Sequence, residues 1–168
     1  MTNPNITQVH ANVERISQDF ADDGARRRER RQLDPTDFVR LADAGLHLTG
    51  VPQARGGLWE SPAACVRTYC GLYRTLARGD SSVSLVASMH PTVLAFWLHG
   101  DTPPQHCATA WSEQLDHIVT EVSAGNWFGT IASEPGANGD LLASRAHAKQ
   151  VGPGNQWLMT GDKFMGSG

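Results

Sequence analysis

Apolar residues recur at helical spacing through the first three quarters of the chain and alternate with polar ones only near its end. Ile6, Val9, Val13, Ile16 and Phe20 form one stripe, so residues 6–31 are expected as a single amphipathic helix. Asp34-Pro35 then supplies a capping carboxylate and a proline suited to a first turn. Phe38, Leu41, Ala42 and Leu46 follow on one face, and residues 47–60, with their Gly56-Gly57 pair, break the pattern. Ser61-Pro62 repeats the start signal and opens a helix to about Arg78, with Val66, Tyr69, Cys70, Tyr73 and Ala77 as its expected buried stripe. Residues Asp80 to His99 are apolar on most faces, which predicts a central core helix bent near Pro91. Thr102-Pro103 begins a fifth helix carrying Ala108, Trp111, Leu115, Ile118, Val119 and Val122 on one side and ending at Gly125.

Beyond Gly125 the period changes. Residues 127–133, 143–151 and 156–160 read as strands, the last two joined by the turn Gly152-Pro153-Gly154-Asn155. The fold class expected is therefore mainly α: a helical bundle over residues 1–125, then an incomplete β region over 126–168.

Composition narrows the classes of function. A net charge of −3 gives no general attraction to nucleic acid or acidic membranes. The arginine-rich run Arg26 to Arg31 lacks interleaved aromatics and is expected as a solvated helix end. Residues 1–12 contain no apolar core of a secretory signal. Ser82 to Leu98, interrupted by Ser84, Ser88, His90 and Pro91, is expected as a core helix rather than a membrane span. Cys65, Cys70 and Cys107 have no metal-ligand spacing, and an odd number suits reduced thiols in a cytoplasmic protein. No histidine pair has the spacing and carboxylate company of a metal site, so none is expected. Hydrolase elbows, Walker loops and Rossmann fingerprints are also missing.

The candidate chemistry lies in two glycine-containing segments. Ser133-Glu134-Pro135-Gly136-Ala137-Asn138-Gly139-Asp140 sits between the apolar run 127–132 and the alternating run 143–151. Its glycines allow close backbone approach, and its exposed N–H groups suit a phosphate or the polar edge of a flavin. The second segment is Thr160-Gly161-Asp162-Lys163-Phe164-Met165-Gly166-Ser167-Gly168. In order and spacing the pair resembles the flavin-contacting segments of the acyl-CoA dehydrogenase superfamily. The matching positions are Glu134, Pro135, Gly136, Ala137, Asp140, Gly161 and Lys163, with Ser133 and Ser167 standing where the family has threonines. The helical stretch upstream is also similar to the family's amino-terminal domain.

The resemblance implies an amino-terminal helical domain followed by the start of a β-barrel-like middle domain, with the chain ending inside the latter. It implies FAD as cofactor, contacted at Ile131, Ala132, Ser133, Gly139, Met165 and Ser167. Gly139 is expected to border the substrate, an acyl-CoA whose electrons pass to an acceptor flavoprotein or oxygen. His90 lies in a region that borders the substrate in related flavin enzymes, with a satisfied core histidine as its first reading. The family's catalytic glutamate belongs to a carboxy-terminal domain, so no catalytic residue is assigned here and the isolated segment is expected to be inactive. Homo-oligomers are implied as well. Two departures, Gly139 in place of a serine and Met165 in place of an aromatic residue, keep open a flavin monooxygenase of the same fold. That enzyme would use reduced FMN or FAD with oxygen on another small molecule. A third expectation is a non-catalytic subunit of a split flavoenzyme.

Overall fold

Helix α1 (Ile6–Asp22) begins where the Asn5 side chain accepts the Thr7 N–H at 2.9 Å. Val9, Val13, Ile16 and Phe20 of the expected stripe are all buried along it. The computed structural model describes residues 5–100, 103–136, 140–154, 156–164 and 166. The single helix expected over 6–31 is divided at Asp23, whose carboxylate binds the Arg26 guanidinium at 2.7 Å. The short helix α2 (Gly24–Glu29) follows, and within the arginine run Arg27 and Arg30 turn inward while Arg26, Arg28 and Arg31 stay in solvent as expected.

Two of the three proline-marked starts form as expected, whereas the helix expected to open at Thr102-Pro103 begins only at Ala108. Asp34 accepts the Thr36 N–H at 2.9 Å and opens α3 (Pro35–Asp43), and Ser61 accepts the Ala64 N–H at 3.2 Å and opens α4 (Pro62–Gly79). The buried stripe of α4 is Cys65, Tyr69, Leu72 and Leu76, which is offset from the expected one. The larger leucines turn inward, and Val66 and Cys70 turn to solvent. Helix α1 packs along α4, and the two backbones lie close together at Gly79. A Cβ there would fall 2.2 Å from the Ser17 carbonyl oxygen, so no larger residue fits this crossing without backbone movement.

Helix α5 (Ser81–Leu98) is capped by Asp80, which accepts the Ser82 and Val83 N–H groups at 3.0 Å each. Its position is less central than the sequence implies. Val83, Ser84, Ala87, His90 and Leu94 are buried, whereas Leu85 and Phe96 are 63% and 74% exposed. By length and composition its 18 residues meet the measure of a membrane-crossing helix, against the expectation that they fall short. In the fold its buried polar groups are satisfied by protein: the Ser84 hydroxyl donates to the Tyr73 carbonyl at 2.7 Å. Helix α6 (Ala108–Ser123) starts after a single 3-10 turn, Gln105–Cys107, and buries Ile118 and Val122. Gly125, at φ +88°, ends it as expected by donating its N–H to the Val122 carbonyl.

The chain divides into two compact units, the helical Met1–Phe128 and the smaller Gly129–Ser167. Within the helical unit one core cluster joins α1, α3, α4 and the start of α5, and a second gathers Val51, Leu94, Ile118 and Val122. Trp127 and Phe128, expected in a first strand, are claimed by this unit. The Trp127 indole donates to the Phe38 carbonyl at 3.2 Å, and the Phe128 N–H donates to the His90 ring.

The second unit holds one antiparallel hairpin, β1 (His147–Gln150) against β2 (Trp157–Thr160), with His147 opposite Thr160 and Gln150 opposite Trp157. Strand β1 is shorter than the expected 143–151. Leu141–Ala143 forms a 3-10 turn, and the Arg145 and Ala146 N–H groups donate to the Glu134 carboxylate instead of to a sheet partner. Both strands are exposed along their length.

Candidate functional site

The second unit brings together the two segments that the sequence marks. Ser133 pairs with Phe164 in an antiparallel bridge, and the Phe164 N–H donates to the Ser133 carbonyl at 3.1 Å. The Lys163 ammonium donates to the Ala132 carbonyl at 3.2 Å. Gly166 lies beneath Ile131, close enough that an added Cβ would touch the isoleucine side chain at 3.5 Å. Ile131, Ala132 and Ser133 therefore lie beside the second segment, with Ile131 and Phe164 both exposed to solvent. Gly139, Met165 and Ser167, the other expected flavin contacts, lie outside the described residues.

Glu134 is the most strongly held side chain of this unit. It is 5% exposed, and its carboxylate accepts the Ser144 hydroxyl and the Arg145 N–H at 2.5 Å each, and the Ala146 N–H at 3.0 Å. Lys163 completes the set with an ion pair at 2.6 Å. Lys163 foremost, then Ser144 and the Arg145 N–H, hold the carboxyl well below the ordinary carboxylate range. A carboxylate held so firmly in its ionised form is a weak proton acceptor, which argues against Glu134 as a general base. The sequence shows both residues as motif positions but carries no sign that they pair. They are far apart along the chain, and only the fold of the hairpin joins them.

His90 belongs to the helical unit and is fully buried. Its Nδ1 accepts the Phe128 N–H at 2.8 Å, which fixes the proton on Nε2, and Nε2 donates to the His47 carbonyl at 2.8 Å. Burial, the main cause, lowers its pKa to about 4, so the ring is neutral near pH 7. Both nitrogens are occupied by backbone, which leaves neither available to a ligand. His47 beside it is also buried, and burial lowers its pKa; its Nδ1 has no hydrogen-bond partner among the described residues.

A crevice of about 590 Å³ lies elsewhere, in the helical unit. It is lined by Phe20, Arg27, Asp37 and Arg40 with neighbouring charged groups, several of which already pair with one another. Its walls hold balanced charge and carry none of the residues that the sequence marks. Among the described residues no three His, Cys, Asp or Glu side chains converge as metal ligands would.

Comparison with known proteins gives a partial match. The chain is 39% identical over 70 residues to the long-chain specific acyl-CoA dehydrogenase of Sus scrofa mitochondria, and 36% identical over 70 residues to the Rattus norvegicus and Mus musculus enzymes of that name. Over those 70 residues the chain is similar to long-chain acyl-CoA dehydrogenases, which supports a relation to their superfamily. The aligned stretch covers 40% of this chain and 16% of each relative. No family model and no solved structure matches it. The matched relatives carry dehydrogenase names and lend no support to the monooxygenase branch. For an acyl-CoA dehydrogenase relative the residues present suit a flavin. Exposed apolar side chains at Ile131 and Phe164 stand beside backbone polar groups, which matches a ring system with an apolar body and a polar edge.

Proposed function

We propose that this chain carries part of the FAD site of an acyl-CoA dehydrogenase, acting on an acyl-CoA thioester by α,β-dehydrogenation and passing electrons to a flavoprotein acceptor. The observation that carries the reading is the antiparallel pairing of Ser133 with Phe164, which joins the two segments that resemble the family's flavin contacts. When bound, the flavin supplies the hydride-accepting chemistry, and the protein's part is to place it and exclude water. Ile131, Ala132 and Ser133 would present main-chain polar groups, and Ile131 and Phe164 would cover apolar ring surface. Gly139, Met165 and Ser167 join this assignment through the resemblance alone. The relatives' name, long-chain specific acyl-CoA dehydrogenase, supports a fatty acyl-CoA as the substrate class. His90 is left out of the proposed substrate contacts because both its nitrogens are bound to backbone.

The reading is tested by anaerobic titration of the FAD-loaded whole gene product with saturated acyl-CoAs of increasing length. The expected result is loss of the oxidised flavin's visible absorbance, with one 2-enoyl-CoA formed per flavin reduced. Flavin that stays oxidised with every acyl-CoA, in a protein whose reduced flavin hydroxylates a small molecule with oxygen, would replace this reading with the monooxygenase one.

A further inference from the structure

One ion pair in the second unit is built more firmly than an exposed hairpin requires. The Lys163 ammonium uses its three protons on three acceptors from different parts of the chain: Glu134 Oε1 at 2.6 Å, the Ala132 carbonyl at 3.2 Å and the Ser144 hydroxyl at 3.2 Å. Glu134 in turn draws in the main chain at Arg145 and Ala146, at the entry to β1. The next residue, Phe164, forms the bridge to Ser133. The pair thus ties three lengths of chain together: residues 132–134, the approach to β1, and the segment leaving β2.

We propose that Glu134 and Lys163 are positioning residues for the flavin site, a latch that fixes the register of the Ile131–Ser133 segment against Phe164 and takes no part in proton transfer. This inference rests on the flavin reading given above. Three features of the geometry separate a latch from a solvated surface pair. The Glu134 side chain is only 4% exposed, and both partners make further hydrogen bonds, Lys163 with all three of its protons. Two of the donors to Glu134 are backbone N–H groups, so the carboxylate orders main chain as well as a side chain. Lys163 reaches the carbonyl of Ala132, one of the residues assigned to flavin contact. A neutral amide at position 134 would face at least one of these donors with an N–H of its own. Exchanging the two charges would set an ammonium against the Arg145 and Ala146 N–H groups, so the exchange cannot restore the latch.

The experiment compares Glu134→Gln, Lys163→Met and Lys163→Arg with the unaltered protein, by amide hydrogen exchange and by FAD titration. Exchange at the Phe164 amide is expected to quicken about tenfold or more in the first two variants, while the β1–β2 ladder amides keep their protection. FAD affinity is expected to fall about tenfold in the same two variants, and Lys163→Arg, which keeps the charge, is expected to recover most of it. A Glu134→Gln/Lys163→Met double variant is expected to be no worse than either single one, since each alone opens the same latch. Unchanged Phe164 protection in both single variants would overturn the proposal whatever the flavin does. Faster Phe164 exchange with unaltered FAD affinity would overturn the positioning role alone. An unaltered protein that binds no FAD, with latch-dependent protection intact, would instead refute the flavin reading on which the proposal rests.

Discussion

Arg27→Met is expected to destabilise the helical unit by about 3–5 kcal/mol, the cost typical of removing one partner from a buried ion pair. The Arg27 side chain is 9% exposed and serves two carboxylates. It meets Asp37 at 2.6 Å and Asp80 at 2.8 Å, and its guanidinium stacks 3.6 Å from the centre of the buried Phe20 ring. Arg30 closes the network on the same two acids at 2.9 and 2.8 Å. Without Arg27, two nearly buried carboxylates share one remaining guanidinium, and Phe20 loses its cover. Asp80 also caps α5, so the loss reaches the start of that helix. Arg27→Lys keeps the charge but has no planar fork to span both acids, and it is expected to recover less than half of the loss. Urea unfolding followed by helical circular dichroism measures both. A loss below about 1 kcal/mol for Arg27→Met would mean that the network behaves as a surface pair.

Acid is expected to weaken the same unit by a second route. The folded protein holds His90 near pKa 4, chiefly through burial, against 6.5 for a free histidine. A depressed histidine pKa means that the unfolded chain takes up the proton first. The stabilisation from a neutral ring is therefore complete above about pH 6.5 and is lost progressively as pH falls toward 4. The difference corresponds to about 3 kcal/mol at roughly 1.36 kcal/mol per pH unit. His47, lowered by burial as well, acts in the same direction. Urea unfolding at a series of pH values should show this slope, and His90→Asn should remove most of it even though the variant is less stable at pH 7. An unchanged slope in His90→Asn would assign the pH dependence to other groups.

Much of the helical unit was legible because its signals are local. Asp34-Pro35 and Ser61-Pro62 carry their caps within three residues, and the Val9, Val13, Ile16, Phe20 stripe needs only helical periodicity. The features that went unread depend on contacts distant in sequence. Nothing local reveals that Arg27 and Arg30 turn inward to Asp37 and Asp80, so a basic run reads as a solvated end. The uniform hydrophobicity of α5 conceals which face is covered, because periodicity cannot rank faces that are all apolar. The strand expected over 127–133 begins with two residues whose polar groups are taken by Phe38 and His90 of the helical unit.

The candidate site follows the same division. Motif spacing located Ile131 to Ser133 and the segment around Lys163, and the fold places them side by side. The role of Glu134 was not readable, since an acid in a glycine-rich turn resembles a turn former until its four donors are seen.

The central claim is that the paired segments of the second unit face a flavin, and an amide chemical-shift map of the protein during FAD titration tests it most directly. The account predicts saturable shifts centred on Ile131, Ala132, Ser133 and Phe164, with the helical amides around Arg27 and Asp37 unmoved. Saturable binding whose shifts fall elsewhere, or no shift at these four residues at any FAD concentration, would contradict it.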